Sequence, residues 1–88
     1  MNNIEITDYF SFRIKLRKYN IENVIELLKH STEKYFDTET NRNIIVGKHK
    51  NKLVLIPYEE DGDNVIPITI HATSRQQIKF RLTTGRFI

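Results

Sequence analysis

The segment from residue 64 to residue 88 holds the side chains of this chain that are best suited to chemistry on a phosphate. It contains one histidine, His71, and no carboxylate. His71 ends an apolar, strand-like run, and four cations follow it. A neutral imidazole near guanidinium groups is suited to transesterification of RNA, in which the ribose 2′-OH attacks the adjacent phosphorus. The four cations are Arg75, Lys79, Arg81 and Arg86.

The candidate catalytic residues are His71, Arg75 and Arg81. His71 can take the proton of the 2′-OH or protonate the leaving 5′ oxygen, because an unperturbed imidazole has a pKa of about 6.5. Nearby guanidinium groups would lower this pKa and favour the role of base. Arg75 and Arg81 are expected to stabilise the charge that develops on the phosphorane. The alternative for His71 is a strand-end histidine that is held by a hydrogen-bond partner.

Residues 9–20 and residues 42–52 also contain cations and no carboxylates. We call residues 9–20, 42–52 and 64–88 the first, second and third basic segments. The net charge of only +3 hides them, because the acidic residues lie elsewhere in the chain. A polyanion responds to such local charge more than to the total charge. The candidate RNA-binding residues are Arg13, Arg17, Lys48, Lys50, Lys52 and Arg86.

Each basic segment also has a structural explanation. The stems of Arg13 and Arg17 can pack along the edge of the core, or their guanidinium groups can pair with carboxylates. Lysines 48, 50 and 52 can solubilise a turn and protect an edge strand from aggregation. RNA binding therefore requires that the three basic segments meet on one surface.

Length and composition exclude several classes of protein. A chain of 88 residues forms one small domain, which we place at residues 1–88. The absence of cysteine excludes a disulfide framework, a thiolate zinc site and a catalytic thiol, and three scattered histidines make no metal motif. We expect neither a metal nor a cofactor. No apolar run approaches the roughly 18 residues of a membrane span, so we expect a cytoplasmic protein without membrane partners.

The first half of the chain is predicted to form a strand and two helices. Residues 3–7 alternate apolar and polar side chains, as in a short strand. A helix is predicted from about Asp8 to Tyr19, with Arg13 and Arg17 on one face between two apolar stripes. Asn20 is a predicted N-cap for a second helix that ends near residues 30–31. The two helices should be antiparallel neighbours.

The second half of the chain is predicted to form an antiparallel meander and a short C-terminal helix. The strands are placed at residues 34–36, 43–48, 53–58 and 65–71, with the third in the centre of the sheet. Pro57 and Pro67 are expected at strand ends, bulges or exposed edges, because proline has no N–H to donate. The final helix should begin at Thr73 or Ser74 and end near Leu82. The fold class is therefore α+β, with two N-terminal helices on a three- to four-stranded antiparallel sheet.

Two stretches of the sequence, together with this order of elements, carry a resemblance to a known family. The chain resembles BrnT-like small toxins of the RelE/ParE superfamily, which belong to bacterial type II toxin–antitoxin systems. The resemblance covers most of the chain and rests on hydrophobic and turn patterns. The first stretch is the spacing of Phe12, Arg13, Arg17, Ile21, Val24 and Leu27. The second comprises residues 45–48 and 52–56, the Asp61-Gly62 turn and residues 65–70.

This resemblance implies a ribonuclease that inhibits translation, in some members on the ribosome, and that a cognate antitoxin protein holds inactive. Members of the superfamily commonly place their functional basic residues on the sheet and near the C-terminus. Lys52, His71, Arg75, Arg81 and Arg86 match those positions best. Two other functions remain open. One is a non-catalytic basic module that binds nucleic acid or a protein, and the other is a structural subunit whose Phe87-Ile88 tail docks into another chain.

Overall fold

The computed structural model describes residues 3–88, which form an α+β fold with three helices and six strands. The α+β class is confirmed, whereas the sheet has six strands and mixed pairing in place of the three or four antiparallel strands expected. The helices are α1 (Asp8–Leu16), α2 (Ile21–His30) and α3 (Arg75–Thr83). The strands are β1 (Asn3–Ile4), β2 (Glu33–Asp37), β3 (Arg42–His49), β4 (Lys52–Asp61), β5 (Asn64–Pro67) and β6 (His71–Ala72).

The sheet is built around β4, as the apolar run in that strand predicted. Its strand order is β1-β5-β4-β3-β2, and β6 pairs with the other end of β4. Strands β2 to β5 form the predicted antiparallel meander. Strand β1 was predicted as a strand, but its parallel pairing with β5 was not. None of the helices in residues 3–88 is long and apolar enough to cross a membrane.

The strand predicted at residues 65–71 is broken into β5 and β6 by a bulge. Tyr58 pairs with Pro67 and Leu55 pairs with His71, so two residues of β4 face three residues of the other chain segment. Pro57 lies opposite this bulge, and its carbonyl accepts a 2.8 Å hydrogen bond from the N–H of Ile68. The N–H and C=O of a strand residue point to the same side of the strand. The N–H that Pro57 lacks would therefore point toward the bulge, where the regular ladder of hydrogen bonds is interrupted.

Both faces of the sheet are covered. Helices α1 and α2 pack on one face, where Phe10, Val24, Ile56 and Ile70 are fully buried. Helix α3 and the C-terminal residues cover the opposite face, where the buried core residues are Ile44, Val46, Leu55, Ile78 and Phe87. Strand β4 contributes side chains to both layers, which explains its continuous apolar sequence.

Local capping sets the helix boundaries. The side chains of Thr7, Asn20 and Ser74 accept hydrogen bonds from the backbone N–H groups at the starts of the three helices. Helix α1 ends earlier than the predicted Tyr19, because Lys18 adopts a left-handed conformation with φ 61°. The N–H of Tyr19 then bonds to the carbonyl of Ile14 at 3.0 Å, as in a Schellman motif.

The C-terminal tail pairs with β2. Phe36 and Ile88 exchange two backbone hydrogen bonds of 2.9 and 3.0 Å. Phe87 is buried and stacks on Tyr35, with 5.5 Å between the ring centroids. The tail thereby covers the free edge of β2, which would otherwise present unpaired backbone groups.

Candidate nucleic-acid interface

His71 lies at the open edge of the sheet, as the first residue of β6. It pairs with Leu55, so its side chain lies on the face of the sheet that α3 covers. The half-buried imidazole lines a cavity of about 430 Å³ together with Thr69, Gln77 and Arg81. The bulge before β6 sets this orientation, because it shifts the register of the strand by one residue.

The surroundings of His71 keep its imidazole neutral. Burial lowers the pKa of His71, and the positive charges of Arg17, Arg13 and Arg81 lower it further. Arg13 lies on α1, Arg17 is the C-cap of that helix, and Arg81 lies on α3, which covers the opposite face of the sheet. The direction of the pKa shift is the one that suits a general base, which must be unprotonated to accept a proton.

Helix α1 presents Arg13 and Arg17 between a buried and an exposed apolar stripe, at the spacing that the sequence predicted. Phe10 and Ile14 are buried. The guanidinium carbon of Arg13 lies 5.9 Å from the centroid of the Tyr9 ring. Within residues 3–88, the buried Nε of Arg13 has no hydrogen-bond acceptor. A buried donor without an acceptor is costly to the fold. The exposed residues of the other stripe are Tyr9, Phe12 and Leu16.

The first and second basic segments meet at the β3–β4 turn. Arg17 and Lys18 line a hollow of about 420 Å³ together with Lys50 and Lys52. Buried His49 supports this contact, because its Nε2 accepts a 2.8 Å hydrogen bond from the N–H of Asn20. Arg17 therefore belongs both to this hollow and to the group of arginines around His71. The first and second basic segments meet at this hollow, and the charge of Arg17 also acts on His71 of the third segment.

Lys48 is separated from this cationic surface. It is exposed and lines a different hollow, beside α2, whose other residues include Glu26 and His30. Residues two apart share a face only within one continuous strand, and here the β3–β4 turn, in which Lys50 has φ 57°, separates Lys48 from Lys52.

Arg75 and Arg86 are engaged in ion pairs within the fold. Arg75 pairs with Glu33 of β2, and the hydrogen bond from Arg75 holds the pKa of Glu33 below its ordinary value. Arg86 pairs with Asp37 at 3.1 Å and with Glu39 at 3.5 Å. Both arginines fasten C-terminal elements to β2 or to the turn after it. Their charges are already balanced by carboxylates, which weakens them as phosphate ligands.

Arg81 is the predicted catalytic arginine that the structure places beside His71. Its guanidinium carbon lies 5.4 Å from the centroid of the Phe87 ring. The described part of the chain contains no carboxylate within ion-pair distance of Arg81. It lines the cavity of His71 and also a larger groove of about 840 Å³ that does not include His71. The smaller cavity contains the imidazole, whereas the carboxylate that lines the larger groove is Glu39.

Sequence reasoning did not single out Thr69, which lines the His71 cavity and has a buried hydroxyl with no hydrogen-bond partner in residues 3–88. Its signal was available, since Thr69 is the only residue with a polar side chain in the apolar run from Val65 to Ile70. The residues that the structure describes include no group of three or more His, Asp or Glu side chains that could hold a metal ion.

Comparison with protein-family models, with curated proteins and with solved structures found no match for this chain.

Proposed function

We propose that this protein is an endoribonuclease that acts as the toxin of a type II toxin–antitoxin system and inhibits translation by cleaving RNA. One observation carries this proposal: the half-buried His71 lines a cavity together with Arg81, and burial and the charges of Arg17, Arg13 and Arg81 lower its pKa. The cations bind the polyanion, and the neutral imidazole supplies a base at the point where they meet. The α+β architecture and the BrnT-like sequence patterns support membership of the RelE/ParE superfamily as part of the same proposal.

In the proposed reaction, His71 removes the proton of a ribose 2′-OH. The 2′ oxygen forms a bond to the adjacent phosphorus, and the bond from phosphorus to the 5′ oxygen breaks. The leaving oxygen takes its proton from water, because the one carboxylate that lines the cavity, Asp37, is paired with Arg86. The products are a 2′,3′-cyclic phosphate and a 5′-hydroxyl. His71 then returns its proton to solvent.

Arg81 and the two arginines of α1 stabilise the phosphorane in this scheme. The reacting phosphate gains negative charge as the 2′ oxygen attacks, and fixed guanidinium groups bind that charge more strongly than they bind the ground state. Arg17 also connects this site to Lys50 and Lys52, which extend the cationic surface along the RNA backbone. This division assigns chemistry to Arg81 and structural support to Arg75 and Arg86.

The proposed antitoxin would dock on α1 through an acidic, amphipathic helix. Tyr9, Phe12 and Leu16 form a stripe in which each side chain is more than half exposed. Arg13 and Arg17 flank this stripe, so a helix with an apolar face and neighbouring carboxylates complements it in shape and charge. Binding there would also cover two of the arginines that act on His71, which accounts for inhibition.

The antitoxin proposal is testable with the protein encoded next to this chain. Cleavage of RNA by the parent should fall as that protein is added. Phe12→Ser should cleave RNA at the parental rate and resist inhibition, because the change removes apolar contact area without altering the arginines. Equal inhibition of the parent and the variant would exclude docking on this stripe.

Induced expression in a bacterial host tests the function directly. The parent chain should arrest growth and degrade RNA, and both effects should disappear in His71→Ala and Arg81→Ala. His30→Ala is a matched control. His30 is an exposed histidine of α2, and it lines neither the cavity of His71 nor the hollow that contains Arg17. Normal growth with intact RNA on expression of the parent would exclude the toxin.

A purified-protein assay tests the chemistry. RNA oligonucleotides should yield cyclic phosphate ends, and a single 2′-deoxy substitution at the cleavage position should prevent cleavage there. Cleavage of the 2′-deoxy oligonucleotide at that position would contradict attack by the 2′ oxygen.

A non-catalytic RNA-binding module is the second candidate, and a specific observation favours it. Two of the four candidate residues in the third basic segment, Arg75 and Arg86, are neutralised by carboxylates, and His71 is the only histidine among the residues that line the cavity. A binding module would retain RNA affinity without producing cyclic phosphate ends. The purified-protein assay, combined with an affinity measurement, separates the two candidates.

A further inference from the structure

The groove of about 840 Å³ on the outer side of α3 has the size and the chemistry of a small-ligand site. It runs between one face of α3 and the turn that follows β2. Residues 76, 77, 80, 81 and 84 of α3 share this face, as their helical spacing requires. The remaining lining residues are Thr38, Glu39, Gly85 and Arg86.

Phe80 is the apolar part of this groove. Its side chain is 67% exposed, more than Tyr9 or Phe12, and it belongs to neither of the two core clusters. Ile78, two residues earlier on α3, supplies the contact with the sheet. The Phe80 ring therefore presents a flat apolar surface at the wall of a groove whose other side chains are polar or charged. A planar aromatic ligand can stack on such a ring.

Gln76 is the polar group best placed to accompany that ring. It precedes Phe80 by one helical turn, so the two side chains are neighbours on the surface of α3. Its amide makes no hydrogen bond to any other side chain or backbone group of residues 3–88, whereas Gln77 is held by the hydroxyl of Thr73 at 3.1 Å. A free amide offers a donor and an acceptor together, which is the pattern that reads the edge of a nucleobase.

The groove adjoins the site of the proposed chemistry. Gln77, Arg81 and Arg86 line both the groove and the cavity that contains His71. Of the two arginines that line both spaces, Arg86 is paired with carboxylates, whereas Arg81 has no carboxylate partner in the described residues. A phosphate that is bound by Arg81 beside His71 would direct a neighbouring nucleotide into the groove.

We propose that this groove binds the unpaired base of a nucleotide next to the phosphate at His71, by stacking on Phe80 and hydrogen bonding to Gln76. This inference deepens the proposed function, on which its link to cleavage rests, and it names single-stranded RNA as the substrate class. A base inside a duplex is stacked on both of its faces and paired along one edge, so it does not reach a groove of this kind.

Binding of a non-cleavable RNA tests the inference separately from catalysis. The probe is a fluorescent single-stranded RNA oligonucleotide with 2′-O-methyl groups throughout, titrated with parent and variants. Phe80→Leu should weaken binding about tenfold, since stacking of one base on an aromatic ring contributes on that order. Phe80→Trp should retain parental affinity because it keeps an aromatic surface. Phe12→Leu is the matched control, because Phe12 is an exposed phenylalanine, 58% accessible, outside the groove.

Abasic nucleotides locate the contact. One position of the oligonucleotide should be sensitive to removal of its base in the parent, and the same removal should have no further effect in Phe80→Leu. Gln76→Ala should flatten the preference among the four bases at that position while leaving Phe80 stacking intact. Equal affinity of Phe80→Leu and the parent, or an abasic effect of equal size in both, would overturn the inference.

The two proposals fail in different ways. If the parent binds RNA and Phe80→Leu binds it equally well while cleavage still requires His71, the groove assignment is wrong and the nuclease stands. If Phe80→Leu weakens binding but no protein cleaves RNA, the groove is confirmed and the nuclease is wrong. Thermal unfolding of each variant checks that the fold persists, which is expected because Phe80 lies outside the core.

Discussion

Arg86 of the C-terminal tail holds Asp37 of β2 through two hydrogen bonds, from Nε to Oδ1 at 3.2 Å and from Nη2 to Oδ2 at 3.1 Å. The carboxylate of Asp37 is almost fully buried, and it also accepts hydrogen bonds from the backbone N–H groups of Glu39 and Thr40. This arrangement joins the tail to the edge of the sheet and starts the turn toward β3. It assigns Arg86 to the fold, although its basic character suggested an RNA contact.

Asp37→Asn should destabilise the protein and change how its stability depends on pH. Burial raises the pKa of Asp37, but the hydrogen bonds from Arg86, Glu39 and Thr40 outweigh burial and hold the pKa below its ordinary value of 3.8. A carboxylate with a lowered pKa in the folded state stabilises the fold above pH 3.8, and this stabilisation is lost as the pH falls through the folded-state pKa. Urea unfolding at neutral pH should show a loss of about 2 kcal/mol in the variant.

The same unfolding measurements in acid provide the control for Asp37. Parent and variant should converge in stability as the pH falls below the ordinary pKa, because Asp37 becomes protonated in the parent. Glu39→Gln should have little effect at any pH, since Glu39 is exposed and lies 3.5 Å from Arg86. A constant gap between parent and Asp37→Asn at every pH would show that the ion pair is not the source of the stabilisation.

Lys52 and Lys48 should differ in their contribution to RNA binding. Both are exposed lysines of the same hairpin, but only Lys52 lines the hollow that contains Arg17 and Lys18. Lys52→Gln should weaken the binding of single-stranded RNA and reduce the slope of log affinity against log salt by about 0.7. Lys48→Gln should leave both unchanged. A loss of equal size in both variants would show that the RNA contacts the whole β3–β4 hairpin and not specifically the hollow that contains Arg17 and Lys18.

Much of the fold follows from local signals in the sequence. Asn20 and Ser74 cap their helices as their residue types and positions predicted, and β4 lies in the centre because its side chains are apolar on both faces. These features depend on a few neighbouring residues. The parallel pairing of β1 with β5 depends on residues about sixty positions apart and has no local signal, so it was not predicted.

The sequence predicted the residue types of the site, but it did not predict which of these residues contact one another. Composition identified the arginines, but it could not distinguish Arg81 from Arg75, because that difference depends on Glu33 of β2 lying next to Arg75 of α3. The orientation of His71 was equally inaccessible, since it follows from a one-residue bulge in a run that reads as a continuous strand. Long-range pairing of charges decides which basic residues remain available to a ligand.

Arg81→Gln and Arg75→Gln should separate the catalytic role from the structural one. Arg81→Gln should lower kcat for RNA cleavage by about 100-fold, a typical loss when one group that stabilises a transition-state charge is removed. Arg75→Gln should retain kcat, because Arg75 is exposed and its charge is committed to Glu33. The measurement is single-turnover cleavage of an RNA oligonucleotide at saturating protein. Loss of kcat in Arg75→Gln with unchanged stability would return Arg75 to the catalytic group.

The arginines around His71 should set the lower pH limit of cleavage. Burial, Arg17, Arg13 and Arg81 all lower the pKa of His71, so the imidazole stays neutral, and able to accept a proton, into more acidic solution. Arg17→Gln removes one of these charges and should raise the pKa of His71. The acidic limb of the rate profile should then move to higher pH, in addition to any fall in the maximal rate.

NMR titration of the His71 ring measures the pKa of His71 directly, without any substrate. This pKa should rise in Arg17→Gln. Arg42→Gln is the matched control, because Arg42 lines the cavity of His71 but pairs with Glu59 and is not among the groups that shift its pKa. It should leave both the titration and the rate profile in place. If the ring titrates at a higher pH in Arg17→Gln while the rate profile stays fixed, His71 is near the arginines but is not the base.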